Sequence, residues 1–220
     1  MSTSDTKPVV IVGAGRQGRN VADVLETIRA KIAGFLDDTK PKGTPVFDYP
    51  VLDGLSAIDD RSFVLDHAWI VAIGDNYARE KVYRKLDSQG GSFVNAIHPS
   101  TQISRGTTLG RGLFIAPGTV THTGTTIGDW ALIGGHAFFG VDARVDEASF
   151  VGNGVILSAG ASVGARSFLG SGAILSNDAV VGADCVVGAG SLVMKELADG
   201  TTAYGMPARP APLRRQPFSR

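Results

Sequence analysis

Residues 121–144, THTGTTIGDWALIGGHAFFGVDAR, place His122 and His136, two of the chain's four histidines, among glycines and single large apolar residues, with Asp142 close behind. Imidazole is the side chain whose ordinary pKa lies nearest neutrality, so a histidine held by a carboxylate is the usual protein general base. A second pattern lies near the start. Gly13-Ala14-Gly15-Arg16-Gln17-Gly18 fits G-x-G-x-x-G, in which glycines let the backbone approach a diphosphate at a helix N-terminus. Asp37 and Asp38 follow at the end of the next apolar run, where a carboxylate suits a ribose. Cys185 is the only cysteine, and no close His/Cys/Asp cluster has metal-ligand spacing, so no metal is expected.

The segments that must position these groups come in two kinds. Before residue 97, apolar runs at PVVIVG (8–13), IAGFLDD (32–38), HAWIVAIG (67–74) and SFVNAI (92–97) read as strands. Between them, Val21, Val24, Leu25 and Ile28 recur at helical spacing, PVLDGLSAID reads as a turn and short helix, and NYAREKVYRKLDSQGG (76–91) reads as a helix turning Val82, Tyr83 and Leu86 inward. Strands alternating with helices predict a small α/β parallel sheet.

From Ile97 the period becomes six. Every sixth residue from Ile97 to Val187 is large and apolar except Thr121, and the residue four places later is mostly Ala, Ser or Thr, with Leu113 and Val155 larger. Neither a helix nor an alternating strand has that period; a parallel β-helix does, with three hexads per triangular coil. The pattern predicts an interior column of aliphatics and side chains stacked eighteen residues apart. Cys185 falls on a small-residue place and reads as packing, Trp130 falls on a turn and is expected exposed at a contact, His98 reads as a turn residue and His67 as a surface one. LADG reads as a turn, and the Arg- and Pro-rich end as a loop or frayed tail that could instead brush a phosphate. The expected domains are 1–96 and 97–220.

Lys and Arg number 21 and Asp and Glu 21, so the total charge gives no field for nucleic acid or an anionic membrane. No apolar run reaches the ~18 residues of a membrane span and no signal peptide is visible, so a cytoplasmic protein is expected.

VIVGAGRQG, FLDD (35–38), VAIGDN (71–76), VNAIHPS (94–100), the hexads and GMPAR (205–209) together resemble the hexapeptide-repeat sugar acyltransferases, such as sialic acid O-acetyltransferase and bacillosamine N-acetyltransferase. The resemblance implies a left-handed β-helix, a homotrimer, an N-terminal domain holding a nucleotide-linked sugar, and acetyl-CoA as co-substrate between subunits. It implies acyl transfer to an amino or hydroxyl group by direct attack on the thioester, for glycan assembly. Gly13, Gly15, Arg16, Gln17, Asp37, Asp38 and Gly74 are then expected to hold the nucleotide-sugar. Phe150, Ser171 and Ala189 are expected to line the acyl-CoA groove.

The sequence departs from that family where the chemistry lies. Counted from Ile97, the family's two histidine positions hold Val141 and Phe150; Asp142 matches the acidic partner. His122 is expected one coil below Gly140, near Val141 and Asp142, and His136 between Gly118 and Gly154. Either is a candidate base, and either could be a wall residue. Positioning of a sugar amine alone could suffice. Two rivals stay open: a catalytically silent nucleotide-sugar binder, and a nicotinamide-dependent oxidoreductase using the glycine motif.

Overall fold

A computed structural model of the chain describes residues 7–212, which form two compact units, residues 7–74 with 78–96 and residues 75–77 with 97–212. The first unit holds a six-stranded sheet. Its elements are β1 (Val9–Val12), α1 (Arg16–Thr27), β2 (Ile32–Leu36), β3 (Pro45–Val46), β4 (Tyr49–Asp53), α2 (Arg61–Asp66), β5 (Ala68–Val71), α3 (Asn76–Ser88) and β6 (Ser92–Phe93). Strand order is β3-β4-β2-β1-β5-β6, all parallel except the β3–β4 hairpin. β1 is buried on both faces, which is why it reads as a continuous apolar run. α1 turns Val21, Ala22, Val24 and Leu25 to the core and leaves Arg16, Arg19, Asn20 and Asp23 outside.

Two local expectations need correction. PVLDG is not a turn but most of β4, which pairs in parallel with β2; its Pro50 lies opposite Pro45 of β3 in the hairpin, where a missing N–H costs little. A 3₁₀ turn (Leu55–Asp59) and then α2 follow; the Asp60 carboxylate caps α2 by accepting the Ser62 and Phe63 amides at 2.9 and 3.4 Å. SFVNAI is not one strand: Ser92–Phe93 ends the first sheet and Ala96–Ile97 begins a sheet of the second unit.

The second unit is a stack of coils whose strands, mostly two residues long, form three parallel sheets. Partners are eighteen apart, as in Phe114–Leu132–Phe150–Phe168–Val186. Backbone geometry keeps the same count: every sixth residue from 106 to 190 has positive φ, whether glycine or Trp130, His136, Asp142, Ala148, Arg166, Asp178 or Asp184. No insertion breaks that register. The aliphatics and small residues form one buried column inside the coil. The polar exception, Thr121, is satisfied there, accepting from the Ser104 amide at 3.2 Å and sharing a 3.0 Å hydrogen bond with the Thr107 hydroxyl. Buried Ser149 and Ser167 donate to carbonyls of the next coil at Gly164 and Gly182, so small polar residues cost nothing at these places.

Ile103 departs from the interior expectation at 40% exposure, because its strand is the last of its sheet and has a neighbour on one side only. Trp130 is 2% exposed rather than open; the Arg111 guanidinium lies 6.0 Å from its ring centroid. His67 packs its ring on Phe63 at 4.5 Å and is half-buried rather than a free surface residue. Thr202–Gly205 continues the coil in parallel and turns back as an antiparallel hairpin to Ala208–Pro210, so this part of the tail is ordered structure. The tail's last eight residues, on which the phosphate expectation falls, lie outside the described ones.

Arg166 and Asp184, one coil apart, form a two-pronged ion pair at 2.7 and 2.9 Å. The guanidinium hydrogen bond holds the Asp184 carboxyl below its ordinary 3.8, against an opposing push from partial burial and with help from Tyr77. The folded state therefore binds fewer protons, and the pair's contribution is present above 3.8 and lost as pH falls below it. Asp184→Asn is expected to cost about 1 kcal/mol near neutral pH, with wild-type and variant urea midpoints converging in acid. Equal midpoints at neutral pH would contradict this.

Among the described residues, no helix is long and apolar enough to cross a membrane.

Candidate active site

The glycine motif forms the β1–α1 turn. Gly13 has φ +100°, a region L side chains rarely enter, and a Cβ on Gly18 would sit 1.9 Å from the Gly13 carbonyl oxygen. Gly15 is different: nothing lies within 4 Å of its added Cβ, so the space before α1 is open. Ala14, Gly15, Arg16, Arg19, Lys40, Val46 and Phe47 line a cleft of about 430 Å³ there. Gln17 is half-buried on the first turn of α1.

The acidic pair is largely committed to the fold. Asp37 accepts the Ala14 amide at 2.7 Å, the Thr39 amide at 2.8 Å and the Thr39 hydroxyl at 2.5 Å. Burial alone would raise its pKa, but these hydrogen bonds, with Lys40 nearby, outweigh it and keep the carboxyl below the usual range. Asp38 accepts the Leu55 amide at 2.7 Å with one oxygen and so caps the 3₁₀ turn. The Gly74 carbonyl, with that of Ile73, accepts from fully buried Arg79 at 3.3 and 2.9 Å, which braces the loop after β5. Sequence reasoning passed over Arg79, Arg19, Lys40 and Phe47; only the helical spacing of Arg16 and Arg19 hinted at any of them.

In the β-helix, His122 and His136 are both exposed and flank one sheet face. His136 lies in the turn before the strand Phe138–Phe139; His122 lies in the turn after Val120–Thr121, one coil below Gly140. The His122 ring meets the Phe138 ring edge-on at 4.9 Å. The Asp142 amide donates to the Thr123 carbonyl at 3.0 Å and its carboxylate leans over Gly124, so His122 and Asp142 share a two-coil turn. Among the described residues no hydrogen bond joins them; Phe138 sets the ring's direction. Val141 is 44% exposed beside them. His98 accepts the Ser100 amide at 3.1 Å in a tight turn.

His136 ends a column. Its ring lies over Gly118, and above it, coil by coil at about 4.8 Å, come Gly154, Gly172 and Gly190, with open space beside Gly154 and Gly190. Exposed Ser171 and Ala189 stand one residue before the last two. Phe150 stacks on Phe168 at 4.9 Å on the adjoining sheet. Among the described residues no three His, Cys, Asp or Glu side chains gather as a metal-ligand set.

The profile of the PglD N-terminal domain family matches residues 8–86. A perosamine N-acetyltransferase from Caulobacter crescentus, crystallised as a histidine-to-asparagine variant with CoA and GDP-perosamine, is 35% identical, with 93% of this chain and 96% of that one covered at a TM-score of 0.87. This chain belongs to the sugar N-acyltransferase family. Its two-part architecture, a Rossmann-like domain followed by a left-handed parallel β-helix, is shared within the family. The acetyltransferase domain of PglB from Neisseria gonorrhoeae FA1090 is 25% identical, over 94% of this chain and all of that one, at a TM-score of 0.89. A UDP-N-acetylbacillosamine N-acetyltransferase from Bacillus subtilis (strain 168) is 28% identical over 113 residues, about half the length of each protein.

Proposed function

We propose that this protein transfers the acyl group of an acyl-CoA, acetyl in the simplest case, to the amine of a nucleotide-activated amino sugar. The observation that carries this is the likeness, over nearly the whole length of both chains, to an N-acetyltransferase crystallised with CoA and GDP-perosamine. The N-terminal unit (1–96) holds the nucleotide through the turn at Gly13 and Gly15, Arg16, Gln17 and the Gly74 loop, with Asp37 and Asp38 shaping the loop walls. The β-helix (97–220) holds the donor, its pantetheine arm following the small-residue column past Ala189 and Ser171, with Phe150 near, toward His136.

The amine nitrogen attacks the thioester carbonyl; a C–N bond forms, the C–S bond breaks, and the nitrogen's proton passes to an imidazole before reaching the departing thiolate. His122 is the base in this reading, oriented by Asp142 once its ring turns from Phe138. Its support is position: it shares a turn stack with the acidic residue and with Val141, where the family histidine is expected.

A homotrimer completes the site. Val120, Phe138, Ile156, Ile174 and Leu192 form an apolar column on the outward face between the two histidines, a surface suited to burial against another copy. A copy packed there sets one chain's His136 edge beside its neighbour's His122 edge. Ile156→Asp is expected to yield monomers by sedimentation with transfer lost; a trimer retained in full would remove this support.

A second reading, a silent nucleotide-sugar binder, draws on Val141, Phe150 and the His122 ring held off Asp142. Thiol release from acetyl-CoA, measured across nucleotide amino sugars, separates the two. Turnover supports transfer; sugar-nucleotide binding without turnover supports the silent protein.

A further inference from the structure

After β5 the chain bends at Gly74 and Asp75, and residues 75–77 belong to the second unit. Arg79 holds the Ile73 and Gly74 carbonyls. A separate set of side chains, unused in the transfer chemistry, holds the residues that follow. Asn76 is fully buried, and its side-chain amide donates to the Arg166 and Ser167 carbonyls at 2.8 and 3.1 Å, in a turn of the β-helix. The Arg166 guanidinium lies 5.6 Å from the Tyr77 ring centroid, a cation–π distance, while it grips Asp184 at 2.7 and 2.9 Å. The Tyr77 phenol in turn donates to the Asp184 carboxylate. Burial first, and that carboxylate next, push the phenol's pKa above its ordinary 10.0, so it stays a donor.

A coil turn does not itself need these charges. Arg166 and Asp184 stand at φ +57° and +58°, left-handed positions that glycine fills more readily and that Gly112 fills lower in the same column. Their side chains are 23% and 29% exposed, against 72% and 51% in the Lys42–Asp53 pair, so water and salt screen them less.

We propose that Arg166, Asp184 and Tyr77 are positioning residues for the nucleotide-sugar: with Asn76 they clamp the far side of the Gly74–Asp75 bend, so that the Gly74 loop meets its ligand already shaped. The inference rests on the reading that this loop holds the nucleotide. With Arg79 on one side and the clamp on the other, residues 73–77 are anchored at both ends. A loop anchored only once has to be ordered when the ligand binds, and affinity falls by that cost; a loop anchored twice is ordered during folding. None of the three side chains touches the ligand in this scheme. The ion pair and the ring act through the backbone they hold.

Calorimetric titration of the full chain with UDP, GDP and dTDP, and separately with acetyl-CoA, tests this. Wild type is expected to bind at least one of the diphosphates. Arg166→Ala and Tyr77→Ala are each expected to weaken that diphosphate about 3- to 30-fold, the usual effect of residues coupled to a site they do not touch. Acetyl-CoA affinity is expected to stay within about twofold, as for a site sharing no partner with them. A merely structural role would not divide the two ligands in this way. Tyr77→Phe keeps the ring beside the guanidinium and is expected to keep most of the diphosphate affinity. Tyr77 is 53% exposed, so its variants carry the test even where Arg166→Ala fails to fold, and thermal melts check each protein. Diphosphate affinity unchanged in Tyr77→Ala, or equal losses of diphosphate and acetyl-CoA, overturns the clamp while leaving the transferase reading standing. Binding of no diphosphate by wild type overturns both.

Discussion

His122→Ala is expected to lower kcat about 100- to 10,000-fold, the usual share of a positioned general base, with little change in KM for either substrate and none in melting temperature. The imidazole is exposed and makes no hydrogen bond to the described residues, so its removal costs the fold little. Asp142→Asn should lose less, because that carboxylate orients rather than reacts. Steady-state thiol release gives the split. A His122→Ala enzyme within threefold of wild type, beside a His136→Ala enzyme that is dead, would move the base to the other edge of the face. If neither substitution matters while transfer persists, catalysis rests on positioning of the amine alone.

Phe139→Ala should cost about 3–5 kcal/mol of stability, the range for truncating a large buried aromatic. Phe139 is fully buried and sits in the interior column between Thr121 below and Leu157 above. A void there removes packing from three coils, and each coil is stable only through its neighbours. It also undermines the turn carrying Val141 and Asp142, so activity should fall with stability. Phe138→Ala makes the contrast: that ring points outward, so the monomer's stability should change by less than about 1 kcal/mol, while the His122 imidazole loses its rest. Urea melts of both variants check the difference, and similar losses from the two would mean that the inside–outside count is out of step.

That count is why so much of the second unit was legible. A six-residue period states which side chain points inward and which residue stands one coil away, and the left-handed turn at every sixth position kept it without interruption. What periodicity cannot give is what covers an outward residue, so Trp130 was expected open and is closed under Arg111. The glycine motif was equally readable, because Gly13 and Gly18 are fixed by local geometry. Asp37 was harder. Its type and place suit a ribose, yet its oxygens serve Ala14 and Thr39, a partnership set by how the loop closes. Phe47, Lys40 and Arg79 reach their places through a hairpin and a buried cation that no spacing rule announces.

The hairpin at Thr202–Pro210 has a consequence for solubility. A parallel stack of strands ends in bare amides and carbonyls, a template on which another molecule could extend the ladder indefinitely. Here the last parallel strand is followed at once by one running the other way, and Pro210, opposite Ala203, has no N–H to offer. Growth of this sheet, one of the three, is stopped by direction and by a missing donor rather than by charge. Cutting the chain before residue 202 would uncover Val186 and Val187 as the new rim, and such molecules should join end to end into fibres.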